Sequence, residues 1–156
     1  MANITFNVAK GRVNSYVDRV VANDPATSGI IVVLLKTTAT DLVLQDLATL
    51  SAILAGSSVE ADFTNYARIV LTDADLSAPT VDNNTDTQYS AIPALQIASA
   101  GDGGAGDNTL SKAILCYAPD VAGADSTLIP LTAHDISVTT NGNNLNINAG
   151  TFYTGS

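Results

Sequence analysis

The sequence predicts an α+β fold, with two N-terminal helices packed on a predominantly antiparallel β-sheet or sandwich. Three observations predict it. Helical periodicity is confined to residues 1–65, and residues 66–149 break into short apolar-alternating segments separated by turn residues. From Ile69 to Ser156 the only Lys or Arg is Lys112, set among Thr, Asn, Ser and Gly, and every acid there is an aspartate. That is the composition of a solvated, turn-rich β scaffold. At 156 residues the chain fits one domain, long enough to bury roughly 70% of its unfolded surface without staples. Residues 150–156 read as a C-terminal tail.

Val13, Tyr16, Val17, Val20 and Val21 follow the i, i+3, i+4, i+7, i+8 spacing of one helix face, with Lys10, Arg12, Asp18 and Arg19 largely on the other. A helix over 10–22 results, ended by Asn23-Asp24-Pro25; its β-branched content makes it dependent on tertiary packing. Gly29 then releases the run 30–35, Ile-Ile-Val-Val-Leu-Leu, the pattern of a central strand covered on both faces. Leu44, Leu47, Ala48, Leu50, Ser51 and Leu54 place a second helix before Gly56, a residue suited to a left-handed C′ position. Ser57-Ser58-Val59-Glu60 has the form of a capping box and predicts a further helical turn through Phe63.

From Tyr66 the pattern turns to strands: 66–71, 87–92, 94–98, 112–117, 126–131, 136–140 and 145–148. Asn141-Gly142 before the last of these is a hairpin-turn signal, because both turn positions favour positive φ. The spacing is that of an antiparallel sheet or sandwich.

Charge is polarised. Residues 1–40 carry four bases (Lys10, Arg12, Arg19, Lys36) against two acids, whereas the remainder carries two bases against thirteen acids. A net charge of −9 argues against direct nucleic-acid binding, which needs clustered cations for phosphate, and against anionic lipid surfaces. The longest apolar run is far below the roughly 20 residues that span a bilayer. The N-terminus lacks a signal-peptide pattern, so synthesis in a cytoplasm is expected. From net charge, a partner is expected to be neutral or basic where it touches this protein.

Candidates for chemistry are few. Cys116 alternates with apolar neighbours and reads as a buried inert thiol. The one histidine, His134, precedes Asp135, but neighbours on a strand point to opposite faces, so a surface or subunit-contact histidine is expected rather than a triad member. Asp73-Ala74-Asp75 and Asp82-Asn83-Asn84-Thr85-Asp86 offer oxygens for calcium but lack EF-hand spacing, and ordinary turns explain them. The glycine-rich stretch 101–106 lacks a P-loop lysine and reads as a hairpin loop. No catalytic, metal or cofactor residues are assigned, and no enzyme is expected.

Phe6-Asn7-Val8-Ala9-Lys10-Gly11-Arg12-Val13, Asn65-Tyr66-Ala67-Arg68 with Val70-Leu71-Thr72-Asp73, Leu115-Cys116-Tyr117-Ala118-Pro119-Asp120 and Ile129-Pro130-Leu131-Thr132-Ala133-His134-Asp135 together resemble a family of small virion structural proteins of tailed bacteriophages. The resemblance runs from near the N-terminus to Ala149. It implies a non-enzymatic capsid decoration (cement) protein on the virion surface, bridging major capsid protein subunits, with a tail or neck component or a host-surface binding module as alternatives. A homo-oligomer, a trimer above all, would give so small a domain enough contact area. Lys10, Arg12 and Arg19 are the residues expected to face a virion partner, since the rest of the surface is acidic.

Overall fold

The computed structural model describes residues 3–155. Chain order is β1 (Asn3–Thr5), a 3₁₀ turn (Asn7–Ala9), α1 (Val13–Val21), β2 (Gly29–Thr37), α2 (Asp41–Leu44), α3 (Leu50–Ala55), β3 (Val59–Glu60), β4 (Ile69–Leu71), β5 (Thr80–Asp82), β6 (Thr87–Ile92), β7 (Leu95–Ile97), β8 (Thr109–Ala118), a second 3₁₀ turn (Asp125–Thr127), β9 (Ile129–Thr139), β10 (Leu145–Ile147) and β11 (Gly150–Gly155). It is an α+β fold whose N-terminal helices pack against a predominantly antiparallel sheet.

The apolar run of β2 makes it the centre of that sheet. Its first seven residues are buried, and the order is β1-β9-β8-β2, with β4 and β3 sharing the far edge of β2. β4 pairs with Ile30–Val32 and β3 with Leu35 and Thr37, all antiparallel. Gly29 opens β2 because no side chain fits there: a Cβ would lie 2.6 Å from Val121 Cγ1 and 2.9 Å from the Leu71 carbonyl.

Alternation along β2 and β8 sends successive side chains into two cores. Ile30, Val32, Leu34, Ala113, Leu115 and Tyr117 meet Val13, Val17 and Val20 of α1 together with Leu95, Ile97 and Phe152. Ile31, Val33, Leu35, Ile114 and Cys116 meet Phe6, Leu44, Leu50, Ile53 and Leu128 on the other side. The first face is completed by two small antiparallel sheets, β5-β6-β11 and β7-β10. Fully burying one such aliphatic side chain contributes about 1.5–3 kcal/mol, which is how the weak valine-rich α1 is held.

Several local expectations are corrected. The second helix is split into α2 and α3, because the Gln45 carbonyl accepts from the Asn7 N–H at 2.8 Å and the Thr49 hydroxyl then caps a new start by accepting from the Ala52 N–H at 3.1 Å. Gly56 is not left-handed (φ −89°). The capping-box segment forms β3, not a helical turn: Glu60 is taken by Arg68, and the neighbouring Ser58 hydroxyl accepts from the Ala39 N–H at 3.0 Å. The segments 126–131 and 136–140 are largely one strand, β9, which runs through His134 and Asp135 because Asp135 stands across from Lys112. Asn141-Gly142 does not close a hairpin. Both its N–H groups donate to the Ala100 carbonyl, at 3.1 and 2.8 Å, and Gly142 (φ +84°) carries the chain from the large sheet to β10, which pairs with β7. Finally, 150–155 is no tail: it is β11, paired along β6 with Phe152 buried. Ser156 lies outside the described residues.

Candidate functional site

The chain has six Lys and Arg residues, and the fold treats them in two ways. Lys112 is buried on β8, its side chain 3% exposed, with Asp41 at the start of α2 at 3.0 Å and Asp135 directly opposite on β9. Burial alone would lower the Lys112 pKa, but the hydrogen bonds its ammonium donates to Asp135 and Asp41 outweigh it and the net shift is upward. Arg68, just before β4, donates from Nε and Nη2 to the two carboxylate oxygens of Glu60 at 2.7 Å each and from Nη1 to Asp125 at 2.5 Å. Tyr66 joins by donating to Glu60 Oε1 at 2.8 Å and accepting from the Leu34 N–H at 3.2 Å. The bidentate geometry holds the guanidinium pKa far above its ordinary value, through Glu60 first and Asp125 second. Lys36 pairs with the exposed Asp62 at 2.6 Å. These three cations are tied to carboxylates of other elements.

The other three, Lys10, Arg12 and Arg19, are all exposed and lie on α1 and its lead-in. Gly11 adopts φ +72° between the 3₁₀ turn and α1, a turn that a residue with a Cβ adopts poorly. Arg12 then occupies the N-cap position of α1, and Arg19 its last turn. Seven residues bring Arg19 back to the side of Arg12 about 10 Å further along the axis, while Asp18 lies about 100° round from Arg19. Arg19 is held in place: its Nε donates to the Asp24 carbonyl at 3.2 Å and its guanidinium lies 5.8 Å from the centroid of the Tyr117 ring. Tyr117 in turn stacks on Tyr16 at 4.7 Å. Among the described residues none of Lys10, Arg12 and Arg19 forms an ion pair.

A polar cleft of about 480 Å³ begins beside this segment, between Gly11, Asn14 and Ser15 on one side and Asn83, Asp86, Gln88 and Tyr153 on the other. Asn14 is fixed there, donating to the Gln88 carbonyl at 3.0 Å and accepting from Ser90 Oγ at 2.7 Å. Nothing in the sequence drew attention to Asn14, whose partners lie more than seventy residues away.

The remaining candidates have structural roles. Cys116 is fully buried, and burial pushes its thiol pKa well up. His134 is not on the open surface. It is partly buried on the face of β9 that looks toward Ile92, Ile147 and Phe152, with Nε2 2.9 Å from the Thr132 hydroxyl. Burial first and Lys112 second hold its pKa below the ordinary value. The Asp82 carboxylate accepts from the Asn84 N–H at 2.9 Å and that of Asp75 from the Thr72 N–H at 2.9 Å, which is turn chemistry. In the glycine-rich loop Asp102 accepts from Gly104 and Gly106, and Asp107 from Asp102 and Gly103. Among the described residues no three His, Cys, Asp or Glu side chains are grouped so as to hold a metal. No helix among them is long and apolar enough to cross a membrane.

Compared with protein-family models, curated proteins and solved structures, the chain matches none.

Proposed function

We propose that the protein is a non-enzymatic structural component of a tailed-phage virion, a capsid decoration protein that bridges neighbouring major capsid subunits and stabilises the DNA-filled head. The observation that carries this reading is where the segments of the resemblance lie in the fold. Leu115-Cys116-Tyr117-Ala118 is in β8, Ile129 to Asp135 is in β9, Val70-Leu71 is in β4 and Phe6 plugs the second core. Two charged members of these segments, Arg68 and Asp135, serve as clamps between elements. Such segments specify a rigid frame, which is what a particle subunit under internal pressure requires.

A small domain of this kind gains contact area by closed symmetric assembly, and a trimer at a three-fold position is the arrangement proposed. The measurement that tests the function is copy number per particle together with heat stability. Hundreds of copies, and DNA loss at lower temperature from particles lacking the protein, are expected. A few copies confined to the neck or tail, with equal heat stability of both particle types, would replace this reading with a tail or neck role.

A further inference from the structure

We propose that the exposed side of α1, with Lys10, Arg12 and Arg19, is a docking face for a carboxylate-rich segment of a partner protein. The inference rests on the virion reading only for where that partner is found. Its basis is the division of charge in the fold. Five of the fifteen acids hold Lys36, Arg68 and Lys112, so the cations of the rest of the molecule are neutralised from within. The other ten acids face only three cations, all three exposed and all on one short segment. Elsewhere among the described residues every lysine and arginine is already paired, so an acidic partner meets no unpaired side-chain cation there. Approaching α1, it meets a stripe about 10 Å long, the span of about three extended residues.

The stripe is partly organised before any partner arrives. The Asp24 carbonyl and the Tyr117 ring hold Arg19, so less side-chain freedom is lost when a carboxylate binds its remaining N–H groups. Arg12 is equally accessible, since its side chain makes no cap hydrogen bond to the helix it precedes. The polar cleft opening beside Gly11 and Ser15 gives uncharged residues flanking the acidic ones amide and hydroxyl groups to meet. Asp86 within that cleft disfavours a carboxylate there, which fixes the acidic part of the segment on α1. The nucleic-acid alternative is weaker because three cations stand against a net charge of −9.

The test uses the full chain and three probes: an acidic Glu/Asp-rich peptide, its Gln/Asn counterpart and a short DNA duplex. The acidic peptide should bind at low salt and be released as the Debye length shrinks from about 30 Å to about 3 Å between 0.01 and 1 M. The double variant Lys10→Glu, Arg12→Glu should weaken it about tenfold or more, mostly through the association rate. Arg19→Glu should do the same, and the first variant covers the case in which losing the Tyr117 contact disturbs folding. Asp73→Lys, a cation added elsewhere on the surface, should leave binding within about twofold of the unaltered chain. Equal binding of acidic and neutral peptides, tighter binding of the duplex, or a loss common to all surface charge changes would each overturn the proposal. Offered to particles lacking the protein, α1 variants that attach as well as the unaltered chain would overturn the docking face and leave decoration standing. A chain that binds the acidic peptide through α1 but not the particles would do the reverse.

Discussion

The cations inside the molecule and those on α1 are chemically alike but placed in opposite environments. Lys112 on β8 has its charge matched by Asp135 on β9 and Asp41 on α2, whereas Arg12 is exposed and forms no ion pair among the described residues. Removing charges from water is costly, so an interior cation persists only where hydrogen-bonded anions surround it, and it then fixes the relative position of every element that supplies one. An exposed cation with no carboxylate partner, such as Arg12, clamps no second element and keeps its N–H groups in solvent. Clamp and unpaired surface cation are thus distinguished by burial and pairing rather than by residue type.

The sharpest way to break that comparison is to strip the anions from Lys112. Asp41→Asn with Asp135→Asn leaves an almost fully buried ammonium without a counter-charge, and a loss of about 3–5 kcal/mol is expected in denaturant unfolding. Lys112→Met should cost less, since it removes the buried charge and both remaining carboxylates reach solvent. If the two variants are equally stable, Lys112 is not a clamp.

The two sides of α1 offer the same comparison on one helix. Val17→Asp places an unpaired charge in the first core and should destabilise by about 3 kcal/mol, while Arg12→Ala on the outer side should stay within about 0.5 kcal/mol. An unchanged melting temperature for Val17→Asp would mean that α1 is peripheral. Next in size is Gly29→Ala, where the new methyl meets Val121 and the Leu71 carbonyl. About 1–3 kcal/mol is expected from overpacking, and a neutral result would show that the β4 edge can move.

The smallest effect concerns pH. His134 has a folded pKa below its unfolded value of 6.5, so the unfolded chain takes up a proton first. Stability from neutral His134 is complete above about pH 6.5 and is lost as pH falls through the lower folded value. The Asp125 carboxyl, held down by Arg68, behaves likewise from 3.8 downward. His134→Gln should remove the first slope and leave the second, as read from melting temperature against pH; a retained first slope would assign it to another group.

Much of the frame was legible in residue order because its signals are local. The apolar run of β2 can be satisfied only by burial on both faces, the valine spacing of α1 defines one buried stripe, and β6 was expected over the residues it occupies. The excess of bases in the first forty residues takes in Lys10, Arg12, Arg19 and Lys36 together. What residue order left open was how distant groups spend their hydrogen-bonding capacity. The capping-box segment is a sound local signal until Arg68 claims Glu60, and the second helix is continuous until Asn7 takes the Gln45 carbonyl. The Gly150–Gly155 segment is a tail until β6, some sixty residues earlier, offers it an edge. The charge count of the first forty residues treats Lys36 and Arg19 alike, yet one is paired across the fold and the other is exposed without an ion pair among the described residues. Only tertiary contacts bring a carboxylate to the first and leave the second without one, because pairing depends on proximity in space and the chain encodes that through packing of segments far apart in order.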